Sequence, residues 1–219
     1  MAQSNTAYTD QSGDGSNTST VDQVGYMNYS DVDQINTSIA YDNNVSDVDQ
    51  TGDNNSSLVY QNGGNNNSDV DQTGDGNIVG RVDQRGLNNT ATVSEIGNSN
   101  YSDVVSWGDD NIVSVSQLGD GNDAYDHQSG DNNSSTTNQD GNGNYSHVDQ
   151  YISGFLNEVP GSNYNTSIVD QIGDDNYNTV YQAGDLNISE VYTEGNDNTT
   201  DVDQVGDKNE SYVFQYGDD

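Results

Sequence analysis

Carboxylates are the side chains with the clearest capacity for chemistry in this sequence. The chain has 37 Asp and Glu against three Lys and Arg, a formal net charge of −34. Ca²⁺ takes six to eight oxygen ligands, so closely spaced carboxylates could hold it loosely, or Na⁺ in its place. The candidate ligands are aspartates at recurring positions, namely Asp22, Asp49, Asp71, Asp53 and Asp75. The alternative is a solvated, aggregation-resistant face, which we favour because the EF-hand loop and the Gly-Gly-x-Gly-x-Asp repeat are absent.

Catalytic chemistry has little support. His127 and His147 are the two histidines, and both fall at positions predicted to face solvent. A catalytic or metal role needs partners that converge in space, so we interpret both as surface residues. With no cysteine and no Ser-His-Asp context, we predict a protein that is not an enzyme and has no resident cofactor. The acidic charge also argues against nucleic acid as a partner, and no apolar run reaches the ~20 residues needed for membrane insertion.

The composition cannot supply a conventional core. Hydrophobic residues make up only 28% of the chain, and low hydrophobicity with high net charge is typical of disorder. Either the chain is disordered, or its order comes from backbone hydrogen bonds and stacked side chains. An internal repeat would decide between these alternatives.

Such a repeat, with a period of eleven, runs through the whole sequence. When the chain is aligned on the Gln of Val-Asp-Gln, 18 anchor positions appear between Gln11 and Gln215, and 15 of them are Gln. Thirteen of the 17 gaps have the full period of eleven, and Gly follows two positions after 16 of the anchors. The unit reads Asn-x-Ser-x-Val-x-Gln-x-Gly-x-x, as in Asn28-x-Ser30-x-Val32-x-Gln34. This phase argues against a disordered acidic chain that binds cations or mineral.

The repeat predicts an all-β fold. A spacing of two places Asn, Ser, Val and Gln on one face of a strand, and the Gly-containing link forms a turn. Two strands and two turns, which together take up two repeats, make one rung. Stacked rungs then give a parallel β-solenoid of nine to ten rungs with two facing sheets. We treat residues 1–219 as a single domain of this kind. At ~4.8 Å per rung, its length would be roughly 45 Å.

Two stretches depart from the period. Residues 35–43 form an insertion between two otherwise regular units. Residues 151–164 include one degenerate unit with the only proline, Pro160, which predicts an irregular strand or a bulge. Counting that unit gives 19 units, or about nine and a half rungs.

Stacked amides are predicted to hold the rungs together, because each inward Gln or Asn meets an identical residue one rung away. The predicted ladder residues are Gln23, Gln34, Gln50, Gln61, Gln72, Gln84, Gln117, Gln128, Gln139, Gln150, Gln171, Gln182, Gln204, Gln215, Asn28, Asn55, Asn144 and Asn209. The predicted turn residues are Gly25, Gly52, Gly63, Gly74, Gly119, Gly173 and Gly206. No capping segment is evident, so both end rungs should be open for head-to-tail cross-β stacking of the chain with itself.

The pattern resembles the curlin repeat, Ser-x5-Gln-x-Gly-x-x-Asn-x-Ala/Ser-x3-Gln. The stretches from Gln23 to Gln34 and from Gln50 to Gln61 match its second half residue for residue. The resemblance covers the chain apart from residues 35–43 and 151–164, and the acidity marks a variant. It implies a secreted subunit of an extracellular, curli-type amyloid fibre in a biofilm-matrix or adhesive role. It also implies a nucleator subunit and export machinery as partners.

Stacked aspartates would repel one another, which suggests a fibre adapted to a saline or divalent-rich environment. Unit charges ~4.8 Å apart cost roughly 0.9 kcal/mol per pair in unscreened water, and ~1 M salt screens most of that. The alternative function is a monomeric acidic β-solenoid that binds through its surface, as an adhesin or a cation- or ice-binding module. A flat outward array of Thr, typical of ice binding, is missing.

Overall fold

The chain folds as a parallel β-solenoid in which each repeat contributes one strand. The structure, a computed structural model, describes residues 4–13, 15–36, 43–151 and 163–218. These residues form strands and no helix, so none of them could cross a membrane as a helix. The strands are β1 (Thr6–Gly13), β2 (Thr18–Val24), β3 (Tyr29–Asn36), β4 (Val45–Thr51), β5 (Ser56–Gly64), β6 (Asn67–Thr73), β7 (Ile78–Leu87), β8 (Thr90–Ile96), β9 (Tyr101–Trp107), β10 (Ile112–Leu118), β11 (Asp123–Ser129), β12 (Ser134–Asp140), β13 (Tyr145–Gln150), β14 (Thr166–Ile172), β15 (Tyr177–Ala183), β16 (Ile188–Glu194), β17 (Thr199–Val205) and β18 (Glu210–Tyr216).

Successive strands alternate between two parallel sheets. The odd-numbered strands form one nine-stranded sheet in the order β1 to β17, and the even-numbered strands form the other in the order β2 to β18. We call these the odd sheet and the even sheet. Anchors pair with anchors along both sheets, as in Gln34 with Gln61 and Gln50 with Gln72. The predicted solenoid with two repeats per rung is confirmed, and the described residues contain nine rungs.

The period of two decides which side chains are buried. In β3 the burial alternates strictly, with Ser30, Val32 and Gln34 buried and the residues between them half-buried. One Val in most strands packs between its counterparts in the rungs above and below, and Val32, Val48, Val59 and Val70 belong to one such cluster. The core is therefore a thin column of valines between polar side chains.

The turns depend on backbone conformations that L-residues rarely adopt. Gly52 has φ of 118°, and a Cβ there would overlap the carbonyl oxygen of Gly74 in the next rung. Asn54, two residues later, has φ of 60°, a left-handed conformation that Asn tolerates. All seven predicted turn glycines have positive φ, namely Gly25, Gly52, Gly63, Gly74, Gly119, Gly173 and Gly206.

The two irregular stretches lie largely outside the described residues. Those omitted are 37–42 in the predicted insertion and 152–162, with Pro160, in the predicted degenerate unit. Because β12 pairs with β14 and β13 pairs with β15, both sheets are continuous across the second stretch. The described strands therefore give nine rungs, and the nineteenth unit predicted within 151–164 is not needed to complete either sheet.

A β-bulge in β7 was not anticipated from the sequence. Ser57 pairs with Val79 and Val59 with Val82, so Gly80 and Arg81 together oppose the single residue Leu58. A Cβ at Gly80 would meet the ring end of the Tyr101 side chain, which would have to shift. The visible signal was the gap from anchor Gln72 to anchor Gln84, which exceeds the period by one.

Candidate functional site

The glutamines form hydrogen-bonded ladders through the interior. In the even sheet, the Gln23 Nε2 atom donates to Gln50 Oε1 over 2.7 Å, and Gln50 donates to Gln72 in the same way. In the odd sheet, Gln128 donates to Gln150 and Gln150 to Gln182, over 2.9 and 2.8 Å. Each side chain donates toward the C-terminal end of the solenoid. Both ladders therefore have a direction.

Most ladder amides also tie the two sheets together. Gln50 Nε2 donates a second hydrogen bond to the Tyr29 carbonyl oxygen in the opposite sheet over 2.9 Å, and Gln61 does so to Val45. Both N–H groups of the amide are thus satisfied in a dry interior. All the predicted ladder residues face inward. Gln23, Asn209 and Gln215, in the end rungs, are half-buried and the others are buried.

The asparagines stack in a different way from the predicted amide-to-amide ladder. The Asn28 side-chain oxygen accepts from the backbone N–H of Asn55 one rung on, and the Asn55 oxygen accepts from Asn77. The Asn55 amide nitrogen donates to the carbonyl oxygen of Gly74 in the adjacent turn. Direct amide-to-amide bonds occur only in some rungs, as from Asn209 to Asn187. These asparagines therefore fasten each turn to the next.

The candidate turn aspartates Asp53 and Asp75 form a hydrogen-bonded ladder on the solvent-exposed side of the turns. Asp53 Oδ1 accepts from the Tyr26 backbone N–H over 2.8 Å, and Asp75 Oδ1 accepts from Asp53 N–H over 2.8 Å. Further along, Asp and Asn alternate at this position. Asn98 donates both its backbone and side-chain N–H to Asp120, which separates the charges. One oxygen of each carboxylate thus has a structural partner.

Three residues other than Gln interrupt the ladders. Ser106 stands between Gln84 and Gln128 in the odd sheet. In the even sheet, Thr193 pairs with Gln171 and Gln215, and Glu95 pairs with Gln72 and Gln117. Glu95 is the only one of the three that can carry a charge.

Glu95 is a fully buried carboxyl within a glutamine ladder. Its Oε2 accepts from Gln72 over 2.8 Å, whereas its Oε1 is buried without a hydrogen-bond partner in the described residues. Burial raises the pKa of Glu95 to about 7, against the lowering effect of Gln72 and Ser102. In its neutral form, Glu95 carries a hydroxyl that can donate as a glutamine amide does.

A second buried carboxyl, Asp126, occupies a valine position. It lies between Val104 and Val148 in the odd sheet and accepts from the Ser135 hydroxyl across the core. Burial raises the pKa of Asp126 to about 6.

The predicted strand ligands Asp22, Asp49 and Asp71 do stand in register on the outer surface of the even sheet. Asp22 pairs with Asp49 and Asp49 with Asp71, while Asp47 and Asp69 form a parallel row beside them. We call these five residues the acidic face. Burial, followed by neighbouring carboxylates, raises the pKa values of Asp49 and Asp71.

The outer surface of the odd sheet pairs its charges instead. Arg81 Nε contacts Asp103 Oδ1 over 2.5 Å, and Asp103 Oδ2 lies 3.7 Å from His127 Nε2. The Asp149 Oδ1 atom lies 3.4 Å from His127 Nδ1 and 3.2 Å from His147 Nε2. We call these five residues the mixed face. Burial alone would raise the pKa of Asp149, but His127 and His147 outweigh it and lower the pKa to about 2.

Sequence reasoning placed both histidines outside the core but did not detect the mixed face. Its members are far apart in the chain and meet only in the stacked rungs. The available signal was the rung length, because Asp103 and His147 are separated by two full rungs, and His127 and Asp149 by one. Arg81 joins them through the bulge at Gly80.

Comparison with known proteins agrees with the geometry. A family model described as the curlin associated repeat matches residues 42–74, 173–206 and 195–219. No curated protein matches the chain. The matched segments have the same strand, ladder and turn arrangement as the rest of the solenoid. Residues 42–74 and 173–219 are therefore identified as curlin repeats.

Proposed function

We propose that this protein is the structural subunit of a fibre that grows by head-to-tail stacking of solenoids. The observation that carries the proposal is the direction of the glutamine ladders. Within the described residues, no donor reaches Gln11 Oε1 or Gln23 Oε1 in the first rung. In the last rung, Gln204 and Gln215 have no next amide to which they can donate.

The two end rungs are complementary to each other rather than to themselves. Stacking the first rung of one copy on the last rung of another places the Gln204 and Gln215 donors against the Gln11 and Gln23 acceptors. Joining two first rungs would oppose acceptors, and joining two last rungs would oppose donors. The contact is therefore heterologous and does not close, which is the condition for a filament.

Stacking would also complete the valine column. Val21 in β2 and Val213 in β18 are only partly buried at the two extremes of the core. The outermost strands β1, β2, β17 and β18 each have a neighbour on one side only. Parallel strands left with one free edge are templates for further pairing. Continuing the ladders across copies would yield cross-β structure along the fibre axis.

The setting proposed for this fibre rests on the curlin repeats of the chain. Curlin repeats imply a secreted, extracellular subunit, with a nucleator and export machinery as partners and a biofilm-matrix or adhesive role. The proposed function is structural rather than catalytic, since the interior is filled by the ladders.

The test blocks the C-terminal edge without disturbing the internal ladder. Tyr177 N–H and Ile188 N–H donate to the next rung. Along a strand, the N–H groups of every second residue point the same way. The N–H groups of Asp201 in β17 and Tyr212 in β18, each two residues beyond the partner of Tyr177 or Ile188, therefore point into the open edge. Proline at these two positions removes edge donors. It also removes the hydrogen bond that the Thr179 hydroxyl donates to Asp201 Oδ1, which an alanine at position 201 removes equally. The matched control is Asp201→Ala with Tyr212→Ala.

We expect the wild type and the alanine pair to form fibres with a ~4.8 Å meridional reflection. The proline pair should remain monomeric with an unchanged β-sheet circular dichroism spectrum. Because its first rung is intact, at substoichiometric amounts it should add to the last rung of wild-type seeds and stop growth at that end only. Monodisperse wild-type monomers, or seeds that keep growing at both ends in the presence of the proline variant, would refute head-to-tail growth.

A further inference from the structure

The mixed face contains a compact set of nitrogen and oxygen donors. His127 on β11 pairs with Asp149 on β13, and His147 lies two residues before Asp149 on the same outward face. One potential ligand atom from each of these three residues lies within 4.8 Å of the other two. The strand pairing itself fixes this arrangement, because hydrogen-bonded neighbours in a rigid sheet carry the three side chains.

The separations match those around a tetrahedral metal ion. With metal–ligand bonds of about 2.0–2.1 Å, two ligands of a tetrahedral site lie about 3.3 Å apart. Asp149 Oδ1 lies 3.4 Å from His127 Nδ1 and 3.2 Å from His147 Nε2. Two edges of the coordination polyhedron are thus already in place.

Asp103 stands on the side from which a metal-bound histidine usually receives outer support. A ligating imidazole commonly donates its second N–H to a carboxylate. With Nδ1 of His127 directed at the proposed ion, Nε2 faces Asp103 Oδ2 at 3.7 Å and has no hydrogen-bond partner in the described residues. Asp103 is in turn held by Arg81.

The remaining coordination position opens onto a surface groove. The groove has a volume of about 400 Å³, and its lining includes Trp107, Tyr151 and both histidines. Water or a small donor molecule could complete the coordination from this side. The site lies on the flank of the solenoid, so stacking of end rungs would leave it accessible.

We propose that His127, His147 and Asp149 form a binding site for one divalent transition-metal ion of the Zn²⁺ type per chain. Two imidazoles and one carboxylate suit such ions better than Ca²⁺ or Mg²⁺, which prefer all-oxygen sites. The site is therefore different in chemistry and location from any loose cation binding on the acidic face.

Zn²⁺ titration of the full-length chain by calorimetry, with excess Mg²⁺ to occupy exposed carboxylates, tests the proposal. We expect one Zn²⁺ per chain, and affinity at least tenfold lower for His127→Ala and for His147→Ala. Asp103→Asn should weaken binding by about tenfold while keeping the one-to-one stoichiometry, since it leaves all three ligands in place. It also removes the ion pair between Asp103 and Arg81. The matched control is Asp203→Asn, which alters an outward aspartate of the same sheet away from the histidines.

Co²⁺ provides a readout of geometry. Tetrahedral Co²⁺ with nitrogen ligands should give intense visible absorption in the wild type and in Asp203→Asn, and this should disappear in both histidine variants. Circular dichroism checks that the variants remain folded, which their outward positions favour. Zn²⁺ binding that persists unchanged in His147→Ala, or Co²⁺ spectra typical of octahedral oxygen ligands, would overturn the proposal.

Discussion

The two sheets share one repeat and one register, yet they treat carboxylates in opposite ways. On the acidic face of the even sheet, Asp49 has Asp22 and Asp71 as its direct neighbours. Burial, followed by Asp47, Asp22 and Asp69, raises its pKa. On the mixed face of the odd sheet, Asp149 lies against two histidines, and its pKa is lowered to about 2. The backbone ladder therefore tolerates either arrangement, and the outward residues alone decide whether stacking concentrates or neutralises charge.

The same contrast extends into the core of the even sheet. Glu95 takes a ladder position with no cation beside it, so its ionised form is not compensated. Outward repulsion is screened by water and salt, whereas a buried charge is not. The largest electrostatic effect should therefore come from this one interior residue rather than from the many surface aspartates.

Glu95→Gln should remove most of the pH dependence that residue 95 confers on the free energy of unfolding. The folded pKa of about 7 exceeds the unfolded value of 4.5, so the folded state binds the proton more tightly. The stabilisation by neutral Glu95 is complete below about pH 4.5 and lost as the pH rises through 7. A shift of this size corresponds to roughly 3 kcal/mol. Urea unfolding at pH 4.5 and pH 8 should show a loss that is smaller by about this amount in the variant than in the wild type. The titration of buried Asp126 contributes to the loss in both.

The control for this comparison is Glu190→Gln, an outward glutamate in the same sheet. It should follow the wild-type pH dependence. Parallel pH profiles for the wild type and Glu95→Gln would mean that Glu95 stays neutral, or is solvated, throughout the range.

The sequence predicted what depends on the period and missed what depends on deviations from it. Inward Gln, Asn and Val and the turn glycines recur once in every repeat, so one copy such as Asn28 to Gln34 predicts the whole fold. Gly80 is a single inserted residue, and its effect on Arg81 is visible only through the changed register. The contacts of the mixed face join four rungs, and side-chain direction there depends on packing that no single unit contains.

Asp49→Asn should stabilise the solenoid at low ionic strength. The substitution removes two like-charge contacts, with Asp22 and with Asp71, each worth roughly 0.9 kcal/mol in unscreened water. Urea unfolding in ~10 mM salt should show a gain of about 1–2 kcal/mol that fades toward ~1 M salt, where the Debye length is ~3 Å. Fibre growth of the wild type should show the same salt dependence in the presence of a chelator.

Asp203→Asn is the matched control, because Asp203 follows the same Asp-Val motif but pairs with Tyr181 instead of another aspartate. It should change stability little at any salt concentration. If both variants respond equally, the effect is one of net charge and not of stacking. If Ca²⁺ stabilises the wild type more than NaCl of equal ionic strength does, and this excess is lost in Asp49→Asn, the acidic face holds an ordered cation.

Arg81→Gln, on the odd sheet, should destabilise the solenoid, whereas Asp49→Asn stabilises it. This change in the free energy of unfolding should be the smallest of those predicted. Arg81 contacts Asp103, but the arginine side chain is 43% exposed, so we expect a loss of only about 0.5 kcal/mol. The loss should be largest in low salt and should shrink as salt is added, since screening weakens attraction as it weakens repulsion. Lys208→Gln, which removes a cation that has no ion pair in the described residues, is the control for net charge.

A double-mutant cycle with Asp103→Asn isolates the contact itself. A coupling energy between Arg81 and Asp103 that vanishes in ~1 M salt would place the mixed face among ordinary screened ion pairs. Stabilisation by Arg81→Gln in low salt would mean that its charge is not neutralised by Asp103, and the contrast between the two sheets would then fail. The sign of the salt response, rather than its size, therefore separates paired from unpaired carboxylates on this scaffold.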